Sequence, residues 1–139
     1  MQLSTHLGFN GQCAEAFKFY EQLLHGKLTF MMTYGESPMA GQMPPGSGNR
    51  IMHASLAVDG QVLMGADAPP GGEDTPHGFC VSIQVDDAAE AERIYNGLAE
   101  GGTVQMPLQT TFWSPKFGMC TDRFGTPWMI NTAGPMPSA

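Results

Sequence analysis

Apolar residues at odd-numbered positions near the start of the chain, Leu3, Leu7 and Phe9, predict a strand with one apolar face. The segment from about Gln12 to His25 then carries apolar residues at three- and four-residue spacings, the pattern of an amphipathic helix. Gly26 follows where a left-handed C-terminal cap belongs. The chain therefore opens with a strand and a helix that packs on a sheet.

Three further strands complete a first structural unit. The segments Lys27 to Tyr34, Ile51 to Val58 and Gln61 to Ala66 are rich in apolar and β-branched residues. Asp59-Gly60 joins the last two as a tight type I′ turn, because its residues adopt positive φ angles readily. Gly35 to Arg50 is rich in Gly and Pro and predicts a long mobile loop. The first unit is thus β-α-β-β-β.

The same order of elements follows in the second half of the chain. Asp87 and Glu90 have the spacing of a capping box at the start of the second helix, and Gly101 ends it. The elements of this unit are a strand at Phe79 to Val85, a helix at about Ala88 to Glu100, and strands at about Thr103 to Thr110, Lys116 to Thr121 and Pro127 to Thr132.

A sequence repeat supports this duplication. The pattern A-E-A-x-[KR]-x-Y-x-x-L-x-x-G occurs from Ala14 to Gly26 and again from Ala89 to Gly101, 75 positions later. We therefore expect an α+β fold in which two tandem βαβββ units form curved mixed sheets around a cleft, with the helices outside. Residues 1–66 form the first unit of this single domain, 67–78 a linker, 79–134 the second unit and 135–139 a tail.

Composition excludes several classes of partner. The 139 residues carry a net charge of −7 without a Lys/Arg cluster, which argues against nucleic acid. The N-terminal segment lacks the features of a signal peptide, and no apolar run is long enough for a membrane helix, so we expect a cytoplasmic protein. The three cysteines are widely spaced and form no C-x-x-C motif, which indicates buried, reduced thiols.

Motifs along nearly the whole chain resemble the PhnB-like branch of the vicinal-oxygen-chelate superfamily, which includes glyoxalases and bleomycin-resistance proteins. The motifs are Gly11-x-Cys13-Ala14-Glu15-Ala16 with Phe19-Tyr20, Tyr34-Gly35-Glu36-Ser37-Pro38, His53-Ala54, Val62-Leu63-Met64 with Asp67, Thr111-Phe112-Trp113, Phe117-Gly118-Met119, and Thr121-Asp122-Arg123-Phe124-Gly125-x-Pro127-Trp128-Met129-Ile130-Asn131. The resemblance implies a homodimer in which each curved unit forms half of a small-molecule cleft. It does not imply a particular reaction.

Two features of the relatives do not carry over to this sequence. Some members of the branch are described as demethylubiquinone methyltransferases, but this chain lacks the glycine-rich turn and ribose-binding acid of doubly wound S-adenosylmethionine enzymes. Relatives commonly have Q-E-T-F-W where this chain reads Gln109 to Trp113, and Thr110 replaces the acid. Any chemistry that depends on that acid is therefore not expected here.

Superfamily enzymes typically hold a divalent metal with His or Glu side chains from the first and fourth strands of the units. By this resemblance the ligand positions fall at about Ser4, at Cys80, at Met129, and at Met64 or Gly65. These residues offer too few imidazole or carboxylate ligands for such an ion, so we expect neither a metal nor another cofactor. His6, two residues from the first position, would supply one ligand after a small slip.

Candidate site residues lie on the sheet faces opposite the helices. Strand alternation places there Ser4, His6 and His53 in the first unit, and Cys80, Ser82 and Gln84 in the second. This partly polar face is either a ligand-binding cleft or a solvated groove or dimer seam. His53 and His6 are the best candidates for a general base, although a strand histidine is more often structural.

Three other candidate residues have alternative roles. Trp113 is either an aromatic wall of the cleft or an anchor of the dimer. Cys80 has no evident cationic neighbour, so an inert buried thiol is the expected state. Met129 lies next to Trp128, which points the other way and is expected in the core below the second helix.

The sequence thus predicts a PhnB-like homodimer that binds a small organic molecule in a metal-free cleft between the units. The predicted ligand-binding residues are Ser4, His6, His53, Cys80, Ser82, Trp113 and Met129. Two loops, Gly35 to Arg50 and Asp67 to Gly78, are expected to close over the ligand. The alternatives are a metal-dependent lyase or dioxygenase of glyoxalase or extradiol type, and a non-catalytic dimerisation or interaction module.

Overall fold

The computed structural model describes residues 1–38, 40–70 and 75–132. The chain divides into two compact units, Met1–Thr75 and Pro76–Ala139, and each is considered by itself. The division falls within the segment predicted as a linker. Part of that segment, residues 71–74, and the predicted tail lie outside the described residues.

The first unit has the predicted order of one strand, one helix and three strands. Its β2, β3 and β4 form an antiparallel meander, and β1 pairs with β4 in parallel, so the sheet order is β1-β4-β3-β2. The elements are β1 (Thr5–Phe9), α1 (Cys13–Leu23), β2 (Lys27–Thr33), β3 (Ile51–Val58) and β4 (Gln61–Asp67).

Helix α1 buries its apolar stripe against one face of this sheet. Cys13, Ala16, Phe17 and Tyr20 are fully buried, as the three- and four-residue spacing requires. The Phe17 ring lies over Gly65 of β4, where an added Cβ would approach it within 2.6 Å. Glycine at this position therefore lets the helix approach the sheet closely.

The end of α1 differs from the prediction at one residue. His25, not Gly26, takes the left-handed conformation, with φ of 53°, and Gly26 N–H donates to Glu21 O at 3.0 Å. Gly26 is needed for space instead, because a Cβ there would lie 2.7 Å from Ala57 O. The prediction of a left-handed Gly26 is therefore wrong by one position.

The second unit repeats the first. Its sheet order is β5-β8-β7-β6, with β5 parallel to β8 and the other pairs antiparallel. The elements are β5 (Val81–Val85), α2 (Ala88–Ala99), β6 (Thr103–Gln109), β7 (Phe117–Thr121) and β8 (Pro127–Thr132). The α+β fold of two βαβββ units is confirmed.

Helix α2 covers one face of the second sheet. Ala91, Ile94, Tyr95 and Leu98 are buried. Trp128 is 1% exposed, which confirms its predicted place in the core. Asp87 Oδ2 accepts from Glu90 N–H at 3.3 Å, as predicted for the N-cap, and Gly101 has φ of 76° after the helix.

Sequence patterns predicted the turn between β3 and β4 correctly but misplaced two strand ends. Asp59 and Gly60 have φ of 49° and 78°, which confirms the tight turn between β3 and β4. Leu3 lies before β1 and is 93% exposed, so its assignment to the apolar face is wrong. Asp67 was predicted to begin the linker, but it is the last residue of β4 and is buried.

The segment between β2 and β3 is tied by backbone hydrogen bonds at both ends. Tyr34 N donates to Arg50 O at 2.9 Å and Gly35 N donates to Gly48 O at 3.0 Å. A short 3-10 turn, Ala40–Gln42, lies within it. Among the described residues, no helix is long and apolar enough to cross a membrane.

Candidate functional site

Each sheet has a helix on one face, and we call the opposite face its open face. On the open face of the first unit, direct strand pairing places His6, Met64, Ser55 and Phe30 in one row across β1, β4, β3 and β2. His6 and Phe30 are exposed, and Met64 and Ser55 are half-buried. Polar and apolar side chains are therefore mixed on this face.

Two imidazoles meet on this face. The ring centroids of His6 and His53 are 6.2 Å apart with the planes 29° from parallel. The Phe30 ring lies 5.8 Å from the His53 ring, at 48°. The structure thus brings together the two histidines that the sequence selected separately, and it adds an aromatic neighbour.

The environment of His6 favours its neutral form. Partial burial lowers the pKa of the His6 imidazole below 6.5, and the charge of a protonated His53 lowers it further. At neutral pH His6 therefore carries a lone pair and one N–H, so it can accept a hydrogen bond or a proton and donate a hydrogen bond.

The equivalent row of the second unit has a different character. Ser82, Met129, Met119 and Met106 pair in order across β5, β8, β7 and β6. The three methionines are half-buried and Ser82 is exposed. Thioether side chains are flexible and polarisable, so this row forms a soft apolar floor.

A polar pair lies beside this row. Asn131 Nδ2 donates to Gln84 Oε1 at 3.4 Å across the β5–β8 pair. Asn131 Oδ1 is buried and has no hydrogen-bond partner among the described residues. A buried amide oxygen without a partner is uncommon and marks a position that a donor would satisfy.

A cavity of about 500 Å³, open to solvent over much of its extent, lies in the second unit. The segment Pro76 to Cys80, which leads into β5, forms one wall, and Gln105, Met119, Thr121 and Pro127 contribute from the other strands. The volume lies in the range of pockets that bind small organic molecules.

Few polar groups line this cavity. Gln105 Nε2 donates to Thr121 Oγ1 at 3.1 Å, which leaves the Thr121 hydroxyl hydrogen and Gln105 Oε1 for another partner. Of the described residues, none that line the cavity is Asp, Glu, Lys or Arg. The lining also includes the exposed imidazole of His77 and the thiol of Cys80, and the rest is mostly apolar, so the cavity is suited to a largely uncharged surface.

The cysteines divide into two classes. Cys13 and Cys120 are at most 1% exposed, and burial raises the pKa of Cys13 to about 12 and that of Cys120 to about 11, with smaller contributions from Asp67 and Asp122 respectively. Cys80 is a free thiol that is only half-buried and lines the cavity. The expectation of burial is confirmed for the first two and wrong for Cys80.

An aromatic group surrounds Trp113. Its ring lies 4.7 Å from the Phe112 ring and 5.2 Å from the Phe117 ring, and both pairs are edge-on. Phe112 is 82% exposed and Trp113 is 40% exposed, whereas Phe117 is buried. Thr110, which stands where relatives have an acid, donates through Oγ1 to Pro115 O at 2.9 Å and helps to close this loop.

The predicted site residues fall into several groups. His6 and His53 lie together, Ser82 pairs with Met129, Cys80 lines the cavity, and Trp113 packs on Phe117. Ser4 lies before β1, and of its side chain the structure gives one hydrogen bond, accepted from Gln2 Nε2.

The structure adds residues to the site that were not predicted from sequence, among them Phe30, His77, Gln105, Met119 and Thr121. Gln105 lies at an irregularity between Val104 and Met106, so simple alternation does not reveal its face. Phe30 lies in a strand with a similar irregularity between Leu28 and Phe30. Met119 could have been found from the sequence, because strand alternation places it on the same face as its pairing partner Met129.

The donor set does not fit the divalent metal of the superfamily. The first and fourth strands of the units present His6 and Met64 on one open face and Ser82 and Met129 on the other, with one imidazole among them. Gly65, the alternative to Met64, faces α1 instead. In the part of the chain that the structure describes, no three His, Cys, Asp or Glu residues form a metal-binding group.

Comparison with known proteins identifies the family. The family model described as 3-demethylubiquinone-9 3-methyltransferase matches residues 1–131. Protein YjdN of Escherichia coli K12 is 34% identical over 146 residues, covering 99% of each chain.

Two solved structures are similar over almost the whole length. Protein PA1353 from Pseudomonas aeruginosa is 47% identical with a TM-score of 0.88, covering 95% of this chain and 97% of that one. A putative 3-demethylubiquinone-9 3-methyltransferase, PhnB protein, from Bacillus cereus is 26% identical with a TM-score of 0.80, covering 96% and 100%. The duplicated βαβββ fold and these matches show that the chain belongs to the PhnB-like family of the vicinal-oxygen-chelate superfamily.

Proposed function

We propose that this chain is a PhnB-like protein that binds a small organic molecule, and that the ligand occupies the cavity of the second unit. The observation that carries the proposal is the cavity of about 500 Å³ lined by Cys80, Gln105, Met119 and Thr121. It combines an apolar surface with a few polar groups, the usual composition of a ligand pocket. The predicted inter-unit cleft stays a prediction, because the proposal needs only the second unit.

The strand topology bears on the reaction named by the family model. A doubly wound methyltransferase binds its cofactor at the carboxyl ends of parallel strands, beside a glycine-rich turn. Each unit here has a single parallel strand pair, β1 with β4 or β5 with β8. We therefore do not extend methyltransferase activity to this chain, and we assign no reaction to it.

The His6 and His53 pair is the best candidate for acid–base chemistry if the protein is an enzyme. A neutral His6 is a suitable proton acceptor near pH 7. The catalytic role of the two imidazoles stays a prediction.

A thermal-shift screen with a cavity-filling variant tests the proposal. A metabolite at a hundred times its Kd should stabilise the wild type by about 2.7 kcal/mol. Thr121→Trp places a large side chain in the cavity and should abolish the shift. Thr103→Trp is the control, because Thr103 pairs with Thr121 but is exposed and does not line the cavity. Equal shifts in both variants, or no shift with any compound, would contradict the proposal.

The predicted homodimer is part of the proposal and needs its own test. Phe112 and Trp113 form an exposed aromatic pair of the kind that anchors protein interfaces. Light scattering after size exclusion should give twice the mass of the chain for the wild type. The variant Phe112→Ser with Trp113→Ser should shift the protein toward monomer if this pair is the anchor. A wild-type monomer at all concentrations would exclude the dimer.

A further inference from the structure

We infer that the ligand of the second-unit cavity is uncharged and presents a carbonyl or hydroxyl group to Thr121. This inference rests on the proposed function and specifies the chemical class of the ligand. Its basis is the combination of a mostly apolar lining, the hydrogen-bonding pair of Gln105 and Thr121, and the positions of the Lys and Arg side chains of the second unit.

Among the described residues that line the cavity, His77 has the one side chain that could carry a positive charge, and it is exposed. Its wall and floor include Phe79, Met119 and Pro127, and no carboxylate, ammonium or guanidinium lines it. Transfer of an ion from water to such a surface is costly unless an opposite charge or several hydrogen bonds replace its hydration. One exposed imidazole does not replace the hydration of an anion, and no described lining residue is a carboxylate that would pair with an ammonium group, so a carboxylate, a phosphate or an ammonium group would lose affinity here.

The cations of the second unit are engaged elsewhere. Arg93 forms an ion pair with Glu90 on α2, and Lys116 Nζ lies 3.4 Å from Glu92 of the same helix. The Arg123 guanidinium lies 4.4 Å from the centre of the Phe124 ring. None of these charged residues lines the cavity. The net charge of −7 opposes the approach of anions as well.

One hydrogen-bonding pair determines how an uncharged ligand would be held. Because Thr121 Oγ1 accepts from Gln105 Nε2, its hydroxyl hydrogen is available to an acceptor on the ligand. Gln105 Oε1 can accept from a donor on the same ligand. A primary amide, a ketone or an alcohol on an apolar skeleton satisfies this pair. The two oxygens of a carboxylate both accept hydrogen bonds, so one of them would lie against the acceptor Gln105 Oε1 without a hydrogen bond.

Cys80 provides a direct readout of occupancy. It is the half-buried thiol on the cavity wall, while Cys13 and Cys120 are buried and have raised pKa values. An uncharged alkylating reagent such as N-ethylmaleimide should therefore modify Cys80 first. A molecule in the cavity should slow this modification, which mass spectrometry can follow residue by residue.

The experiment compares matched probes on the full chain. Each probe skeleton, for example naphthalene, is used as the primary amide, the carboxylate and the aminomethyl ammonium form at the same concentration. The amides are expected to slow alkylation of Cys80 about tenfold when saturating, and the two charged forms less than about twofold. Thr121→Val should weaken protection by the amide about fivefold, and Thr103→Val should leave it unchanged.

The outcomes separate this inference from the proposed function. Equal protection by carboxylates or ammonium forms would overturn the inference and leave small-molecule binding in the cavity intact. If no form protects Cys80, the inference is also overturned, and the proposed function is then decided by the thermal-shift screen with Thr121→Trp. Undiminished protection in Thr121→Val would overturn the role given to its hydroxyl.

Discussion

The carboxylate of Asp67 caps helix α1 from a distance of 54 residues along the chain, because Asp67 Oδ1 accepts from the backbone N–H of Cys13 at 3.0 Å. Its other oxygen, Oδ2, accepts from Ile51 N–H at 2.8 Å. Gln12, the N-cap residue, makes no capping hydrogen bond with its side chain. One buried carboxylate thus joins the end of β4 to the starts of α1 and β3.

Replacement of Asp67 should therefore destabilise the first unit strongly. Asp67→Ala leaves two buried backbone N–H groups without their acceptor, and we expect a loss of about 1–3 kcal/mol of unfolding free energy for each. Asp87→Ala at the exposed local cap of α2 is the matched control and should cost only about 1 kcal/mol. Urea unfolding of both variants measures the difference, and equal losses would contradict a tertiary role for Asp67.

The His6 and His53 pair predicts a pH dependence. The pKa of His6 is lowered mainly by burial and further by His53, so the folded state binds a proton less tightly than the unfolded chain. By linkage, the contribution of His6 to the free energy of unfolding is present above pH 6.5, the pKa of the imidazole in the unfolded chain. It is lost as the pH falls from 6.5 toward the lower pKa of the folded state. NMR titration should place His6 below 6.5.

The variant His53→Gln tests the electrostatic part of this shift. It should raise the pKa of His6 only partly, because burial is the larger cause. Ser55→Ala, in the same row of side chains, keeps both imidazoles and should not raise it comparably. A full return to 6.5 in His53→Gln would show that charge, not burial, is the main cause.

The two tryptophans should respond very differently to the same substitution. Trp128 Nε1 donates to the buried carboxylate oxygen Asp122 Oδ2 at 2.8 Å, so Trp128→Phe should cost about 1–3 kcal/mol of unfolding free energy. Trp113→Phe keeps an aromatic ring at a partly exposed position and should cost less than about 0.5 kcal/mol. Chemical denaturation checks both values, and a larger loss in Trp113→Phe would reverse this assignment.

The end of α1 predicts a stabilising substitution. His25 has φ of 53°, where a Cβ is unfavourable, so His25→Gly should raise the unfolding free energy by up to about 1 kcal/mol. Gly26→Ala should lower it, because the new Cβ would lie 2.7 Å from Ala57 O and 2.8 Å from Val58 Cγ2. Thermal unfolding compares the two. The opposite order would indicate that Gly26, not His25, needs the left-handed conformation.

Elements and faces were predictable where the local pattern is regular. The strands Ile51–Val58 and Pro127–Thr132 have their predicted bounds, and the buried positions of both helices follow their apolar spacing. The errors concern single residues at the ends of elements. His25 takes the conformation expected of Gly26, and Leu3 is exposed although its residue type suits a strand.

The candidate site was only partly predictable. Strand alternation selected His6 and His53, but their 6.2 Å ring separation depends on the order β1-β4-β3-β2, which local pattern does not specify. Gln105 lies at a strand irregularity, so its position at the cavity could be assigned only from the tertiary structure. Cys80 was expected to be an inert buried thiol because the sequence shows no cationic neighbour, and only the tertiary structure shows the cavity beside it.

The sequence by itself determined the duplication, the α+β class and the family, because these depend on apolar periodicity and on motifs that are read along the chain. Tertiary structure alone decided which distant groups meet: Asp67 with the first turn of α1, and Thr121 with Gln105 at the cavity. The physical reason is that a helix or strand is encoded by neighbours three, four or two residues apart, whereas a cap or a pocket is completed by residues that strand order brings together.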